Sequence, residues 1–473
     1  MEDRKKIEGR TLPEALGAYA RKNAARFHMP GHKGRGMSGF WRSDLIEWDV
    51  TELSNTDNLH HPTQAIACAQ NHMAVTYGAK ASYFVVNGST AAVQAMILSL
   101  SSDDRLLLSR DAHKSAAAGV VLSGIAIDYL FPDYNDSLEL YGFITPEALD
   151  SALTETGATA VLITSPNYYG LCADIPALSK IAHAHDALLL VDGAHGAHFP
   201  FSESLPTGLS GYADLWAHSQ HKTMDALTQA ASLHLGECRI SPEQVQRVLT
   251  LLETSSPSYL LMTSLDWSVY MGTRQDWTGQ VRRMNALRKR ICEIDGMALL
   301  PDWIGAGVAE RDSTRLVIDV TGRGLTGFTA AALLEKQNIF IEMADARRLV
   351  LITSPEDDPV WYNQLLEALD ELPRHRALPR TAAEIRRKHE ILSDMPTRRL
   401  SPREAVLHKL AYVPIGQAAG RVVGESIGAY PPGISLVMPG EELTERMIQY
   451  LLEEERVGAT LFGVRNGGVF VVD

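Results

Sequence analysis

Residues 217–231 read AHSQHKTMDALTQAA and lie between two mostly apolar runs, which predict short buried strands. Burial lowers the pKa of a lysine, and the neutral amine is the form that attacks a carbonyl group. Lys222 is therefore a candidate Schiff-base lysine, and Ser219 and His221 offer donors for an anion such as a phosphate. The alternative is a surface turn whose lysine is solvated, and these residues alone leave both interpretations open.

The sequence from residue 63 to about residue 235 alternates between predicted strands and predicted helices. Apolar strands separated by helices indicate an α/β fold with a mostly parallel sheet covered on both faces. In such sheets, ligands bind at the carboxyl ends of the strands. A polar motif follows each of four predicted strands, namely Asn87–Thr90, Arg110–His113, Thr164–Gly170 and Asp192–His195. We therefore expect a ligand site at this edge of the sheet.

The composition excludes several classes of protein. The chain has 473 residues, of which 45% are hydrophobic and 21% are charged, as in ordinary globular proteins of two or three domains. A net charge of −13 argues against nucleic acid or an anionic membrane as a partner. The four cysteines show no CxxC spacing, which favours reduced thiols in a cytoplasmic protein and no metal site. No apolar run approaches the ~20 residues that span a bilayer.

Three motifs at the predicted strand ends fit a cofactor site. Gly88, Ser89 and Thr90 precede a helix, whose free N–H groups and dipole would bind an anion. Asp192 ends a fully apolar strand, where its carboxylate either caps the next turn or pairs with a protonated ring nitrogen. His113 follows another strand, and a single histidine at such a place is structural or catalytic.

The motif Ala217-x-Ser-x-His-Lys222, followed by Thr228–Ala231, resembles the pyridoxal-phosphate attachment site of the Orn/Lys/Arg decarboxylase family. Asp225 departs from the family pattern, which has a small residue there. The resemblance extends along nearly the whole chain through three further motifs, Pro30–Lys33, Tyr430–Gly433 and Met438–Glu441. It is a resemblance to the short form of the family, without the N-terminal receiver-like wing.

The resemblance implies fold type I, the fold of aspartate aminotransferase and related pyridoxal-phosphate-dependent transferases. A large domain with a mostly parallel sheet would carry the cofactor, and smaller α+β domains would follow it. The expected divisions are an N-terminal arm (1–62), the pyridoxal-phosphate domain (63–285), a small α+β domain (286–380) and a C-terminal decarboxylase domain (381–473). Enzymes of this fold build each active site from two subunits, so a homodimer is expected.

The resemblance also implies the roles of individual residues. Lys222 would hold the cofactor as a Schiff base, and Asp192 would pair with the pyridinium nitrogen. His113 would stack on the exposed ring face and donate a proton to the substrate carbon, which a group titrating near neutrality suits, although the released Lys222 is a rival donor. Further cofactor contacts are expected from Gly88, Ser89, Thr90, Ala194, His195, Ser219, His221 and, across a dimer interface, Ser255.

The reaction implied by the resemblance is decarboxylation of lysine, arginine or ornithine to the corresponding amine and CO2 through an external aldimine. The far ends of these substrates are cationic, so an acidic residue should meet them. The candidates for this acidic residue are Glu342, Asp345, Glu425 and acids of the N-terminal arm. The sequence does not choose among the three substrates.

Other functions on the same fold stay open. Transamination would use an arginine of the small domain to hold the substrate carboxylate, and Arg315, Arg347 and Arg348 lie in that region. An aldolase step and the cyclisation or cleavage of a modified arginine are further possibilities. A non-catalytic pyridoxal-phosphate-binding protein is a separate class, and the combined presence of Lys222, Asp192 and His113 argues against it.

Overall fold

A seven-stranded sheet lies at the centre of the computed structural model, which describes residues 19–22, 24–35, 46–53, 56–301, 305–375, 388–430 and 433–473. Its strands have the spatial order Ala81–Val85, Ala231–Leu235, Leu215–His218, Leu188–Asp192, Ala160–Thr164, Arg105–Ser109 and Ala126–Leu130. The strand Ala231–Leu235 runs antiparallel to both of its neighbours, and the remaining neighbouring pairs are parallel. The predicted α/β fold with a mostly parallel sheet is therefore confirmed.

Both faces of this sheet are buried because its strands are apolar at successive positions. Leu106 and Leu108 belong to the apolar core on one face, and Leu107 between them belongs to the core on the other face. Helices supply the opposite side of both cores. The helices in this part of the chain are Ala65–Tyr77, Gly88–Leu98, Lys114–Ser123, Pro146–Thr156, Ile175–Ala184, Gln220–Thr223, Pro242–Leu252 and Tyr259–Gly272.

Local sequence explains where two of the helices end or begin. The helix Ala65–Tyr77 ends at Gly78, which has φ 60° and donates its N–H to carbonyls of the last turn. A separate helix begins at Trp277, shortly after the end of the helix Tyr259–Gly272. Asp276 caps it by accepting a hydrogen bond from the backbone N–H of Gly279.

A smaller antiparallel sheet lies beside the large one. Its strands have the spatial order Ala298–Leu299, Arg315–Asp319, Arg348–Ile352 and Met343–Ala344. The helices that share its apolar core are Trp277–Glu293, Gly327–Lys336 and Pro359–Asp370. Ala25–Phe27, from the predicted N-terminal arm, pairs in parallel with the strand Ile339–Ile341. The beginning of the chain is therefore attached to the region of the small sheet.

The C-terminal region, residues 388–430 and 433–473, is an α+β unit with its own apolar core. Its strands are Leu410–Pro414, Arg421–Val422, Ile427–Tyr430, Ile434–Val437, Glu442–Leu443, Thr460–Phe462 and Gly468–Val472, and its helices are Pro402–Leu407 and Glu445–Val457. Glu441 of this region accepts two hydrogen bonds from the Arg110 guanidinium of the large sheet region, at 2.9 and 2.7 Å. The two side chains are buried, so this bidentate ion pair fixes the C-terminal region against the large sheet.

The remaining short elements are the strand pairs Tyr134–Asn135 with Leu140–Tyr141 and Leu171–Ala173 with Val308–Arg311, and the 3-10 helices Phe199–Phe201, Thr321–Arg323 and Ile415–Gln417. Half of the predicted arm (1–62) and the beginning of the predicted C-terminal domain (381–387) lie outside the described residues. The domain boundaries therefore stay predictions. Within the described ranges, no helix is long and apolar enough to cross a membrane.

Candidate active site

A cavity of about 180 Å³ opens at the carboxyl ends of the central strands. Asp192, at the end of its strand, is in register with Thr164 on one neighbouring strand and Ala217 on the other. This register brings together motifs that are far apart in the sequence. The predicted site residues that line the cavity are Ser89, His113, Asp192, Ala194, His195, Lys222 and Asp345.

Lys222 lies on the one-turn helix Gln220–Thr223, directly after the strand Leu215–His218. Its Nζ is 2.9 Å from His195 Nε2 and 5.4 Å from the centre of the Tyr168 ring. Burial lowers the pKa of Lys222 to about 8, against the opposing effect of Asp192. The amine is therefore partly uncharged near neutral pH, as a Schiff-base lysine requires.

Asp192 is buried, and its Oδ1 accepts a hydrogen bond from the backbone N–H of Ala194 at 3.2 Å. Burial raises the pKa of its carboxyl group, while the nearby Lys222 lowers it. A carboxylate in this position favours a positively charged partner, such as a protonated ring nitrogen in the cavity.

His195 connects Lys222 to the small sheet. Its Nε2 faces Lys222, and its Nδ1 is 3.3 Å from Nη2 of Arg315, the first residue of the strand Arg315–Asp319. Burial and the two neighbouring cations lower the pKa of His195 well below its ordinary value, so the ring is neutral at physiological pH. The Tyr168 ring packs against it with 4.5 Å between ring centroids.

His113 caps the helix Lys114–Ser123, and its Nδ1 accepts a hydrogen bond from the backbone N–H of Ser115. Because Nδ1 is an acceptor, Nε2 carries the proton of the neutral ring. Burial, followed by the charge of Lys222, lowers the pKa of His113 to about 4. The expectation that this group titrates near neutrality is therefore not met in the protein without a cofactor.

The predicted phosphate cradle begins the helix Gly88–Leu98. Gly88 has φ 79°, which a glycine adopts without strain, and Ser89 opens onto the cavity, whereas Thr90 is exposed. Glu253 supports this turn from behind, because its carboxylate accepts hydrogen bonds from the backbone N–H groups of Val86 and Asn87. The N-terminus of this helix therefore lies at the cavity, where Ser89 lines it, on a turn that Glu253 holds in place.

Ser219 and His221 are neighbours in the turn before Lys222, with 3.1 Å between Ser219 Oγ and His221 Nδ1. The backbone carbonyl of His221 accepts a hydrogen bond from the N–H of Gly31 at 2.9 Å. A Cβ at Gly31 would lie 2.6 Å from the backbone oxygen of Met224, so only glycine fits. The Pro30–Lys33 loop therefore packs against the segment that carries Lys222.

Three other predicted contacts are not part of the described cavity wall. Ser255 is exposed and, in the described part of the single chain, does not line the cavity. Glu342 accepts a hydrogen bond from the backbone N–H of Met29 at 2.8 Å. Glu425 forms a surface ion pair with Arg465 at 3.0 Å. Their predicted contacts with cofactor or substrate stay untested in a single chain.

Asp345 does line the cavity, but its carboxylate is already engaged. It accepts hydrogen bonds from the Tyr169 hydroxyl at 2.8 Å and from the backbone N–H groups of Arg347 and Arg348 at 2.7 Å each. The Arg348 guanidinium forms an ion pair with it at 3.3 Å. Arg347 pairs in turn with Asp319 and Glu139. Two of the arginines on which the transamination alternative depends are therefore held by carboxylates.

Asp111 lines the cavity two residues before His113, although it was not predicted as a site residue. In the described part of the chain, its buried carboxylate has a hydrogen bond from the Ser109 hydroxyl and no ion-pair partner. Burial raises its pKa to about 6. Its position after a predicted strand was a signal that could have identified it.

Pyridoxal phosphate fits the residues that line the cavity. The Thr164 hydroxyl is buried beside Asp192, lines the cavity and has no hydrogen-bond partner within the described residues. A polar atom of a ligand in the cavity would supply that partner. An amine, a buried carboxylate and a helix N-terminus lie around the same space, matching the aldehyde, ring nitrogen and phosphate of the cofactor. No cluster of three potential metal ligands occurs among the described residues.

Solved structures share this fold. The constitutive lysine decarboxylase of Escherichia coli superposes with a TM-score of 0.74 at 21% identity, covering 98% of this chain and 82% of that chain. The serine palmitoyltransferase of Sphingomonas wittichii superposes with a TM-score of 0.53 at 16% identity, covering 73% of this chain and 86% of that chain. Together, the fold and the site define a pyridoxal-phosphate-dependent enzyme of fold type I.

The sequence matches the family description "Orn/Lys/Arg decarboxylase, major domain" over residues 11–319 and "Orn/Lys/Arg decarboxylase, C-terminal domain" over residues 385–466. The arginine decarboxylase of Halalkalibacterium halodurans is 33% identical over 94% of this chain and 93% of its own length. That of Bacillus subtilis is 31% identical over 98% of this chain and 96% of its own length. The chain therefore belongs to the Orn/Lys/Arg decarboxylase family, which confirms the predicted cofactor and the predicted decarboxylation of a basic amino acid.

Proposed function

We propose that the protein decarboxylates L-arginine to agmatine and CO2, in preference to lysine or ornithine. The observation that supports arginine is the contrast among relatives. Four relatives named arginine decarboxylase are 29 to 33% identical over 92 to 98% of this chain. Two relatives named lysine decarboxylase are 22 and 23% identical over 91% of this chain.

The proposed roles of the site residues follow from their positions. Lys222 would hold the cofactor, Asp192 would keep its ring nitrogen protonated, and Ser89 with the helix N-terminus would bind its phosphate. Ser219 and His221 would support the phosphate from the turn before Lys222. When bound, pyridoxal phosphate supplies a ring that accepts the electron pair left on the substrate carbon as CO2 departs.

Proton transfer is best assigned to Lys222 Nζ. Its pKa of about 8 lets it hold and release a proton near neutral pH, which suits a general acid and base. His113, with a pKa of about 4, stays neutral, so its ring serves better as a platform packed over the cofactor. The C-terminal residues Ile434 and Tyr450 close the cavity from the other side and would exclude water.

Asp111 is the proposed partner of the cationic end of the substrate. Three other acids of the cavity wall have their charge balanced by neighbours: Asp345 by Arg348, and Glu139 and Glu454 by Lys388, at 3.3, 3.6 and 3.1 Å. Asp192 lies near Lys222, and Asp394 is exposed to solvent. Asp111 is buried and has no such cation in the described part of the chain. A guanidinium that enters the cavity would neutralise this carboxylate.

The proposed function is tested with the purified protein and pyridoxal phosphate. We expect an absorbance band from the Schiff base with Lys222 and release of CO2 and amine that is fastest with arginine. Both should be absent in Lys222→Ala, while Lys180→Ala, a change on the helix Ile175–Ala184, serves as the control lysine variant. Faster release from lysine or ornithine would contradict the choice of arginine, and a band without CO2 from any of the three would contradict the reaction.

We also propose that the enzyme is a cytoplasmic homodimer in which Ser255 reaches the phosphate of the partner subunit's cofactor. The exposure of Ser255 in the single chain leaves it available for a contact with a second subunit. The absence of CxxC spacing among the four cysteines supports the cytoplasmic location. Light scattering should give the mass of a dimer, and Ser255→Ala should weaken cofactor affinity in that dimer. A monomer at micromolar concentration would contradict the proposal.

A further inference from the structure

Arg315 is a buried arginine with an unusual set of contacts. It is 2% exposed, and its Nε and Nη1 atoms have no hydrogen-bond partner among the described residues. The one hydrogen bond of its side chain goes from Nη2 to His195 Nδ1, at 3.3 Å. Burying a guanidinium with two unpaired donors is costly, so this arrangement calls for a role beyond packing.

The contact with Arg315 determines where the proton of His195 lies. A guanidinium has only donors, so the Nδ1 atom of His195 must present a lone pair to it. The single proton of the neutral imidazole is then on Nε2, which points at Lys222 Nζ across 2.9 Å. A hydrogen bond from Nε2–H needs an acceptor, and only the uncharged amine of Lys222 has a lone pair to offer.

We propose that Arg315 is a positioning residue that fixes the Nε2–H tautomer of His195 and thereby favours the uncharged form of the Lys222 amine. A protonated Lys222 amine has only N–H donors, and it would face the Nε2–H donor of His195 with no acceptor between them. His195 cannot move this proton to Nδ1, because Nδ1 already accepts from the Arg315 guanidinium. The contacts of Arg315, His195 and Lys222 thus fit one arrangement of protons, in which His195 carries its proton on Nε2 and the Lys222 amine is uncharged. This inference rests on the proposed role of Lys222 as the residue that binds the cofactor.

The electrostatics of the three residues agree with this geometry. The pKa of Lys222 is lowered to about 8, mainly by burial and in smaller part by the charge of Arg315. Arg315 and Lys222 both lower the pKa of His195, which keeps its ring neutral. Burial lowers the pKa of Arg315 itself, and the nearby carboxylates of Asp312 and Glu342 oppose this effect.

The alternative role for Arg315 is direct binding of the substrate carboxylate. Among the described residues, however, the cavity wall includes Arg347 and Arg348 but not Arg315. The Arg315 side chain packs directly against Gly170, where a Cβ would lie only 2.6 Å from Arg315 Cβ. Arg315 is therefore packed behind His195, where it acts on the cavity through the imidazole.

The first test reads the tautomer directly. The full-length protein is prepared without cofactor and with ¹⁵N-labelled histidine, and the His195 signals are assigned by their loss in His195→Phe. We expect an unprotonated Nδ1 and a protonated Nε2 in the wild type, and loss of this preference in Arg315→Met. Arg323→Met is the matched control, because Arg323 is a buried arginine near the small sheet whose guanidinium binds the Leu372 carbonyl instead.

The second test measures the reactivity of Lys222 against pH as the rate of Schiff-base formation with added pyridoxal phosphate. The midpoint should lie near the pKa of about 8 in the wild type. In Arg315→Met it should rise by about one pH unit, so the rate at pH 7 should fall about tenfold. In a His195→Phe background, Arg315→Met should produce a clearly smaller shift, because the direct effect of the Arg315 charge on Lys222 remains while the effect transmitted by the imidazole is gone.

An equal shift in both backgrounds would mean that Arg315 acts by its charge alone and would overturn the proposal. A protonated Nδ1 in the wild type would overturn it as well, and this measurement holds even if Arg315→Met does not fold. Neither test involves turnover, so a failure of the decarboxylation assay leaves both results interpretable.

Discussion

Asp111 carries a buried carboxylate in the cavity that no cation of the described residues pairs with. The sequence alone could not distinguish it from Asp345, because the partners that engage Asp345 include Tyr169, 176 residues away along the chain. Lys222 and Asp192 were predictable because their positions after apolar strands are visible in the sequence.

Asp111→Asn should lower kcat/KM for arginine by about 30-fold or more, since removing one partner of a buried charge pair costs ~2 kcal/mol or more. The neutral isostere citrulline provides the internal control, because its poor turnover should hardly change. Equal losses for both substrates would mean that Asp111 does not bind the cationic end. Kinetic constants for both substrates, measured at pH 8, decide the matter.

The pH dependence of substrate binding offers a check without mutation. Burial raises the pKa of Asp111 to about 6, and only the ionised form attracts a guanidinium. The KM for arginine should therefore rise as the pH falls through about 6, and in Asp111→Asn this rise should be absent.

The turn between the strand Ala81–Val85 and the helix Gly88–Leu98 shows what an element adds to its residues. The motif Gly88–Thr90 was predictable as an anion site from its place before a helix. Its support by Glu253 was not, because that carboxylate lies more than 160 residues further along the chain. Sequence patterns report local structure, whereas such support depends on how distant elements pack.

Glu253→Gln should stabilise the protein at high pH relative to the wild type. Burial raises the pKa of Glu253 to about 7 from an ordinary value of 4.5. A carboxyl group with a raised pKa contributes stability below pH 4.5 that is lost as the pH rises through about 7. The neutral glutamine avoids this loss, so the difference in Tm between variant and wild type should grow in favour of the variant from pH 5 to pH 8. A constant difference would show that the ionisation of Glu253 does not matter.

At the scale of the whole molecule, the cavity depends on three parts of the chain. The large sheet supplies Lys222 and Asp192, the small sheet supplies Arg348, and the C-terminal region supplies Tyr450. The family motif Met438–Glu441 could be recognised in the sequence, but its function could not. The structure assigns to Glu441 the ion pair with Arg110 that joins two of these parts.

Glu441→Ala should destabilise the protein by ~3 kcal/mol or more, because it leaves the Arg110 guanidinium buried without its carboxylate. Glu425→Ala is the matched control in the same region, and its exposed pair with Arg465 should contribute less than ~1 kcal/mol. Urea unfolding of both variants gives the comparison. Similar midpoints for the two would contradict a role for Glu441 in holding the C-terminal region in place.

The Pro30–Lys33 loop has a consequence for how the protein is made. Lys33 donates to the Ile352 carbonyl at 2.7 Å, and the Gly31 carbonyl accepts from the Ser354 hydroxyl at 2.8 Å. The loop leaves the ribosome early, yet Ile352 and Ser354, which hold it in place, are translated more than 300 positions later. The contacts that hold the loop against the turn of Lys222 are therefore complete only late in translation, so a nascent chain carries an unfinished site until most of its length has emerged.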